Sequence, residues 1–278
     1  MKFVTYASGA GPRVGVIESD GVHDVGFDGD MIAFIEAGAP VNSGIVVEDA
    51  CLLAPLRPRS MRDFIAFEGH YKKSYERLGL ATPDEWYQVP AYYKGMPDTV
   101  IGPEAEIPWP SYCDYLDCEL ELAAVIGRKG KDISVEDAAD FIFGYTIWND
   151  VSARDTQKVE MPVGAGPGKA KDWDGSNVMG PCIVTSDEID GQSLVMTLRV
   201  NAETWTEQNS ANMHYTFAQM IAHVSQDQTL YPGETLGSGT PPGGCGIELD
   251  KQLQPGDVIE LDIAGIGILR NTVGARNG

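Results

Sequence analysis

Acidic residues occupy alternate positions in Asp117-Cys118-Glu119-Leu120-Glu121, and the run Leu122-Ala123-Ala124-Val125-Ile126 follows without interruption. Side chains alternate faces along a strand, so the three carboxylates would share one side while Cys118, Leu120 and Leu122 take the other. On a solvated edge this is an ordinary amphipathic strand. The apolar run reads as buried on both faces, however, and an unpaired buried carboxylate either takes up a proton or finds a metal. A second set lies in Asn149-Asp150-Val151-Ser152-Ala153-Arg154-Asp155-Thr156-Gln157, which begins like a capped helix and places Asp150, Arg154 and Gln157 on one face at i, i+4 and i+7. The bland version of that spacing is a solvated ion pair. The functional version presents Asp150 to a cation while Arg154 and Gln157 point at a ligand bound there.

The elements that would position these groups are mostly strands. Short strands are expected over Phe3 to Tyr6, Val14 to Glu18 and Val22 to Asp24, then a short helix from Met31 ending near Gly38. This reads as a small leading subdomain, residues 1–55. The prolines of Leu53-Ala54-Pro55-Leu56-Arg57-Pro58 mark its boundary with a larger unit, 56–278. Ser60 and Asp63 resemble a capping pair for a helix that carries His70, runs to Leu78 and stops at Gly79. Residues 80–112 show no clear period. A short helix is expected from Ser134 and strands over Ile142 to Trp148, Cys182 to Thr185, Leu194 to Asn201 and Val258 to Ile263, with a helix around His214 to Gln226. Many strands, few long helices and no βαβ alternation point to a β-rich α+β fold.

A chain of 278 residues buries a sizeable core without crosslinks. Five cysteines, odd in number and without paired C-x-x-C spacing, argue against a disulfide framework or structural zinc and fit a reducing cytoplasm. No apolar run reaches the roughly 20 residues of a membrane span. A formal charge of −21 opposes binding to nucleic acid or anionic lipid, and a small anionic substrate would need a local cationic site.

The motifs "DCELELAAVIG" and "GYTIWNDVSARDTQ", with "RDFIAFEGHYKKS", "KDWDGSNVMGP", "LYPGETLGSGTPPG" and "LQPGDVIELDIAGIGILRNTV" in order, resemble the fumarylacetoacetate hydrolase family over residues 60–274. The resemblance implies a mixed β-sandwich or roll, usually a homodimer, that binds Mg²⁺ or Mn²⁺ through two glutamates and an aspartate, here Glu119, Glu121 and Asp150. Such an oxygen-only shell also admits Ca²⁺ and disfavours Zn²⁺. Asp117 matches no ligand position. Lys171 matches the family's active-site lysine, in competition with Lys169. His70 matches its lid histidine, Glu248 the acid that orients that histidine in the fumarylacetoacetase branch, and Thr240 a loop residue near the substrate. The acylpyruvase branch has a glutamate three residues after the histidine, where this chain has Lys73.

The function this implies is metal-dependent hydrolytic cleavage of a C–C bond in a 2-keto, β-dicarbonyl acid, with His70 as base, Lys171 and Glu248 beside it, and Arg154, Gln157 and Thr240 on the substrate. An oxaloacetate-type decarboxylase or a hydroxy-dienoate isomerase would use the same groups. A binding protein keeping the same shell without turnover is the alternative of another class. The glycines of "AGIGILRN" do not make a phosphate loop, because no helix is expected after them.

Overall fold

The computed structural model describes residues 1–42, 44–77 and 81–276. The leading segment contains β1 (Lys2–Ser8), β2 (Gly11–Glu18), β3 (Gly21–Asp24), α1 (Met31–Glu36), β4 (Ile45–Val47) and β5 (Leu52–Leu53). Asp30 caps α1 by accepting from the Ala33 amide at 2.8 Å. Next come β6 (Ser60–Phe64), α2 (Glu68–Arg77), β7 (Tyr92–Gly95), β8 (Val100–Ile101), β9 (Glu106–Trp109), β10 (Leu116–Asp117) and β11 (Leu120–Ile126). The rest of the chain gives β12 (Ile142–Asp150), β13 (Ser152–Ala153), α3 (Arg154–Glu160), β14 (Asn177–Thr185), β15 (Val195–Val200), β16 (Glu203–Asn209), α4 (Phe217–Ser225), β17 (Glu234–Gly237), β18 (Val258–Ile263) and β19 (Gly267–Arg276).

One large mixed sheet runs in the order β4-β3-β2-β1-β14-β12-β11-β17-β6-β7, and a five-stranded sheet runs β16-β15-β18-β19-β9. This is the expected β-rich α+β layout. Strands β11, β12 and β14 lie against β15, β18 and β19. Leu122, Ala124, Ile126 and Ile147 pack there with Met196, Leu198, Leu261 and Ile263. The alternate residues of β11 serve the opposite face: Ala123 joins Met61, Trp148 and Met179, and Val125 joins Phe3, Phe34 and Ile183 under the leading strands. Both faces of β11 are therefore covered, which strands of unbroken apolar sequence require. Since β1 pairs with β14, the leading strands extend the large sheet, and the cluster beneath β1–β3 and α1 also takes in Val125 and Ile183, so a division near residue 55 is proposed on the sequence boundary alone.

Two local expectations are corrected. Ser60 to Phe64 is a strand, paired in parallel with β17, and the helix begins only at Glu68. The buried run Met61-Arg62-Asp63-Phe64 finds its partner about 170 residues away in the chain, and tertiary pairing overrides a local capping pattern. The expected stop at Gly79 lies outside the described residues. In place of a helix from Ser134, a single 3-10 turn covers Ala138–Phe141.

Candidate active site

The carboxylates converge because of strand register. Glu119 precedes β11, and its carbonyl accepts from the Asp150 amide at 3.3 Å, so the two acids face each other across β11 and β12. Glu121 is two residues on, on the same side as Ala123. Asp63 comes from β6, which β17 separates from β11. The β17 residue between them is Gly237, paired with Ala123 on one side and Asp63 on the other. A Cβ on Gly237 would stand 2.7 Å from Asp63 Oδ1 and 2.6 Å from the Trp148 ring. Glycine there clears the space across which Asp63 reaches the other acids.

One carboxylate oxygen from each of Asp63, Glu119, Glu121 and Asp150 lies within 4.8 Å of the other three, and all four residues are buried. Asp63 is the member that the sequence reading missed. Both oxygens of Glu121 and Oδ1 of Asp150 are buried without a hydrogen-bond partner among the described residues. Burial first, and the charges of Asp63 and Asp150 next, push the Glu121 carboxyl well above the ordinary range. Asp63 is raised by burial and by Asp150. Asp150 is raised by burial despite Lys171, and Tyr93 donates its hydroxyl to Asp150 Oδ2 at 2.7 Å. Glu119 is the exception. Burial would raise it, but Lys171 and Arg154 outweigh burial and hold it below the ordinary range. A cluster of oxygen donors with unpartnered lone pairs and repelling charges fits a hard divalent cation.

Lys171 is buried, and its ammonium donates to Glu119 Oε2 at 2.8 Å and to Asp150 Oδ2. This separates it from Lys169, which is exposed and donates to the Asp172 carbonyl. Burial would lower the Lys171 ammonium, yet Asp150 and Glu119 raise it beyond its usual value.

The expected continuous strand through Asp117, Glu119 and Glu121 breaks at Cys118, and Asp150 ends a strand rather than opening a helix, so Asp150 and Arg154 do not pair as that spacing suggested. Arg154, at the start of α3, instead donates from Nε to Asp117 Oδ2 at 2.9 Å, from Nη2 to Glu119 Oε1 at 2.7 Å and from Nη1 to Gln157 Oε1 at 2.9 Å. Asp117 also accepts from the amides of Cys118, Gly246 and Ile247 at 2.9, 2.7 and 3.0 Å. It therefore anchors the 243–248 loop to Arg154.

That loop carries the remaining groups. Glu248 accepts from His70 Nδ1 through Oε1 and from the Gly243 amide through Oε2 at 2.6 Å. Burial would raise Glu248, but the bond to His70 and the Gly243 amide hold it below its ordinary value. Lys73 Nζ stands 3.6 Å from Glu248 Oε2. Thr240 is buried with its hydroxyl unpartnered among the described residues. His214 packs against the rings of Trp86 and Tyr215, and His223 lies near Tyr92, so neither joins the site.

Residues 60–274 match the family model described as fumarylacetoacetate (FAA) hydrolase C-terminal. The chain belongs to the fumarylacetoacetate hydrolase family. A fumarylacetoacetate hydrolase from psychrophilic Exiguobacterium antarcticum matches with a TM-score of 0.86 and 30% identity, over 99% of this chain and 100% of that one. The 5-carboxymethyl-2-hydroxymuconate delta-isomerase of Mycobacterium smegmatis matches with a TM-score of 0.80 and 28% identity, over 99% of each chain. The mitochondrial oxaloacetate tautomerase Fahd2a of Rattus norvegicus is 33% identical over 257 residues, 87% of this chain and 79% of that protein. No helix among the described residues is long and apolar enough to cross a membrane.

Proposed function

We propose that the protein is a Mg²⁺- or Mn²⁺-dependent enzyme that hydrolyses a C–C bond in a 2-keto, β-dicarbonyl acid. The observation that carries this reading is the set of buried, unpartnered carboxylate oxygens beside an ordered His–Glu pair. Glu119, Glu121, Asp150 and Asp63 would hold the ion. Bound there, it supplies Lewis-acid stabilisation of negative charge that gathers on the substrate's 2-keto oxygen as the bond breaks.

The protein groups divide the remaining work. Because His70 Nδ1 donates to Glu248, the neutral ring presents Nε2 as a proton acceptor. Water that gives its proton to Nε2 attacks the carbonyl remote from the carboxylate. The C–C bonding pair leaves with the pyruvate fragment as its enolate, and the proton on His70 returns to the departing carbon. Glu248, held ionised, steadies the imidazolium between those transfers. Lys171 offsets the acidic cluster and meets the substrate's carboxylate. Arg154 acts by fixing Glu119 and by holding the Gln157 carbonyl oxygen, so that the Gln157 amide N–H groups would be left to donate to the ligand. The Thr240 hydroxyl, without a partner among the described residues, offers a donor to the same ligand.

Keto–enol isomerisation is the second reading. The tautomerase and isomerase names of similar proteins favour it, as does Lys73 in place of the acylpyruvase-branch glutamate. It needs His70 to move a methylene proton and no water. Incubation with acylpyruvates and oxaloacetate in D₂O, with Mg²⁺ or EDTA, separates the two. Metal-dependent pyruvate release supports hydrolysis; metal-dependent deuterium exchange and enol formation without cleavage supports isomerisation; neither activity on the whole panel rejects an enzyme of this chemistry. His70→Asn should abolish turnover while Mn²⁺ affinity stays unchanged, and undiminished turnover would remove His70 as the base.

A further inference from the structure

A second, chemically different set of ligands adjoins the carboxylate cluster. One ring nitrogen of His70, Sγ of Cys245 and one carboxylate oxygen of Glu248 all lie within 4.8 Å of one another. We infer that His70, Cys245 and Glu248 form a binding site for a borderline divalent ion, Zn²⁺ above all, and that occupation of this site switches the enzyme off.

The donor types make the choice of ion. Nitrogen, sulfur and oxygen together suit Zn²⁺, which takes three protein ligands and leaves a fourth position open in many enzyme sites. Mg²⁺ has little affinity for a thiolate or an imidazole and is left to the oxygen cluster. Mutual separations of ligand atoms around a tetrahedral Zn²⁺ are roughly 3 to 4 Å, given bonds of about 2.0 to 2.3 Å. The observed spacing is therefore within a small side-chain adjustment of that geometry.

The backbone holds the ligands in place before any ion arrives. Cys245 and Glu248 are three residues apart around the 3-10 turn Gly246–Leu249, a spacing that stacks side chains on one edge. Asp117 fixes that turn through the amides of Gly246 and Ile247, and the Gly243 amide fixes Glu248. His70 comes from the first turn of α2, where Gly69 lies so close to Pro242 that a Cβ would stand 2.6 Å from the proline Cγ. Cys245 is fully buried and Glu248 nearly so, which screens the pocket from competing water.

Binding exchanges bonds in a defined way. The Cys245 S–H bond is lost and its proton goes to solvent; the His70 ring shifts its proton from Nδ1 to Nε2, and the His70–Glu248 hydrogen bond gives way to bonds from Nδ1 and the carboxylate to the ion. Burial raises the Cys245 thiol above its ordinary value, with Arg154 opposing and Asp117 and Glu119 reinforcing that effect, and the ion displaces its proton. Lys73, 3.6 Å from Glu248 Oε2, is the cation that must give way. The neutral charge of Zn²⁺ with one thiolate, one carboxylate and one imidazole makes the buried complex acceptable.

The inhibitory half of the inference rests on His70 being the base of the proposed reaction; the binding half does not. The test uses the full chain saturated with Mg²⁺ and titrated with Co²⁺ as a spectroscopic stand-in for Zn²⁺. A near-ultraviolet thiolate-to-cobalt absorption band should appear with one equivalent, disappear in Cys245→Ser and persist in Glu121→Gln. Zn²⁺ should abolish turnover of the Mg²⁺ enzyme without relief by tenfold more Mg²⁺, and Cys245→Ser should keep basal turnover and need at least tenfold more Zn²⁺. Absence of the band in the wild-type protein, or a band that survives Cys245→Ser, overturns the site. Equal zinc sensitivity in Cys245→Ser overturns the switch. If Cys245→Ser fails to fold, Cys245→Ala is the replacement, and cobalt binding with a thiolate band that His70→Asn leaves unaltered refutes the site as well. A protein with no turnover on any keto acid would reject the proposed function but leave the cobalt result standing.

Discussion

Glu121→Gln should have opposite effects on stability and on metal binding. Two carboxylates 4.8 Å apart repel by about 3.5 kcal/mol at an effective dielectric constant of about 20. Glu121 faces Asp63 and Asp150 in this way, and its oxygens lack partners among the described residues. In metal-free protein the cheapest relief is protonation, and its cost is limited to about 1.36 kcal/mol per pH unit above the ordinary carboxyl value, or about 5 kcal/mol at pH 8. The folded-state value is raised, so the contribution to stability is fully present below about pH 4.5 and is lost progressively as pH rises. Glutamine keeps the shape, removes the charge and donates an N–H to the neighbouring acids. In EDTA at pH 8 the variant should therefore be more stable by about 1 to 3 kcal/mol, or about 2 to 4 °C in Tm per kcal/mol, with the gain vanishing near pH 4.5. The same variant should bind Mn²⁺ about a hundredfold to a thousandfold more weakly, about 3 to 4 kcal/mol. Scanning calorimetry with and without Mn²⁺ and isothermal titration give both quantities. A variant no more stable than wild type without metal, and unchanged in Mn²⁺ affinity, would refute the electrostatic reasoning.

Asp117→Asn leaves Arg154 short of a buried counter-charge and weakens the anchor of the 243–248 loop, so denaturant unfolding should show a loss of about 3 to 5 kcal/mol. An effect below about 1 kcal/mol would show that Arg154 is held by other groups. Far from the site, hydrogen bonds from Arg13 lower Asp24 to about 2, against burial that would raise it. That stability is fully present above about pH 3.8 and is lost as pH falls through 2. With Arg13 partly exposed it amounts to about 1 to 2 kcal/mol, and Asp24→Asn should flatten the acid limb of the stability profile over that window.

Strand patterns were readable where they were local. The β1–β3 meander, β12, β15, β18 and helix α4 follow from apolar spacing and turn residues. The run after Glu121 announced burial on both faces, and β11 is covered on both. Asp63 escaped because Ser60-x-x-Asp63 imitates a helix start, while its strand exists only through pairing with β17. A usable signal was the run Phe64-Ile65-Ala66-Phe67, too apolar and aromatic for the exposed first turn of a helix. Asp117, which matches no ligand position in the sequence, is bonded to Arg154 and to loop amides. Its partners, Arg154 and two amides of the 243–248 loop, are distant in sequence, and nothing local signals them. Lys171 and Lys169 were separable only by fold, since burial against Glu119 and Asp150 distinguishes them and composition does not.

The proposed chemistry requires Asp63, Glu119, Glu121 and Asp150 to hold one divalent ion jointly. Crystals grown with Mn²⁺ and measured for anomalous scattering test it directly. The account predicts a single strong peak within about 2.0 to 2.3 Å of carboxylate oxygens from these residues, with Lys171 moved aside or shared between Glu119 and Asp150. A strong peak elsewhere, or saturating Mn²⁺ with none at this cluster, would contradict it.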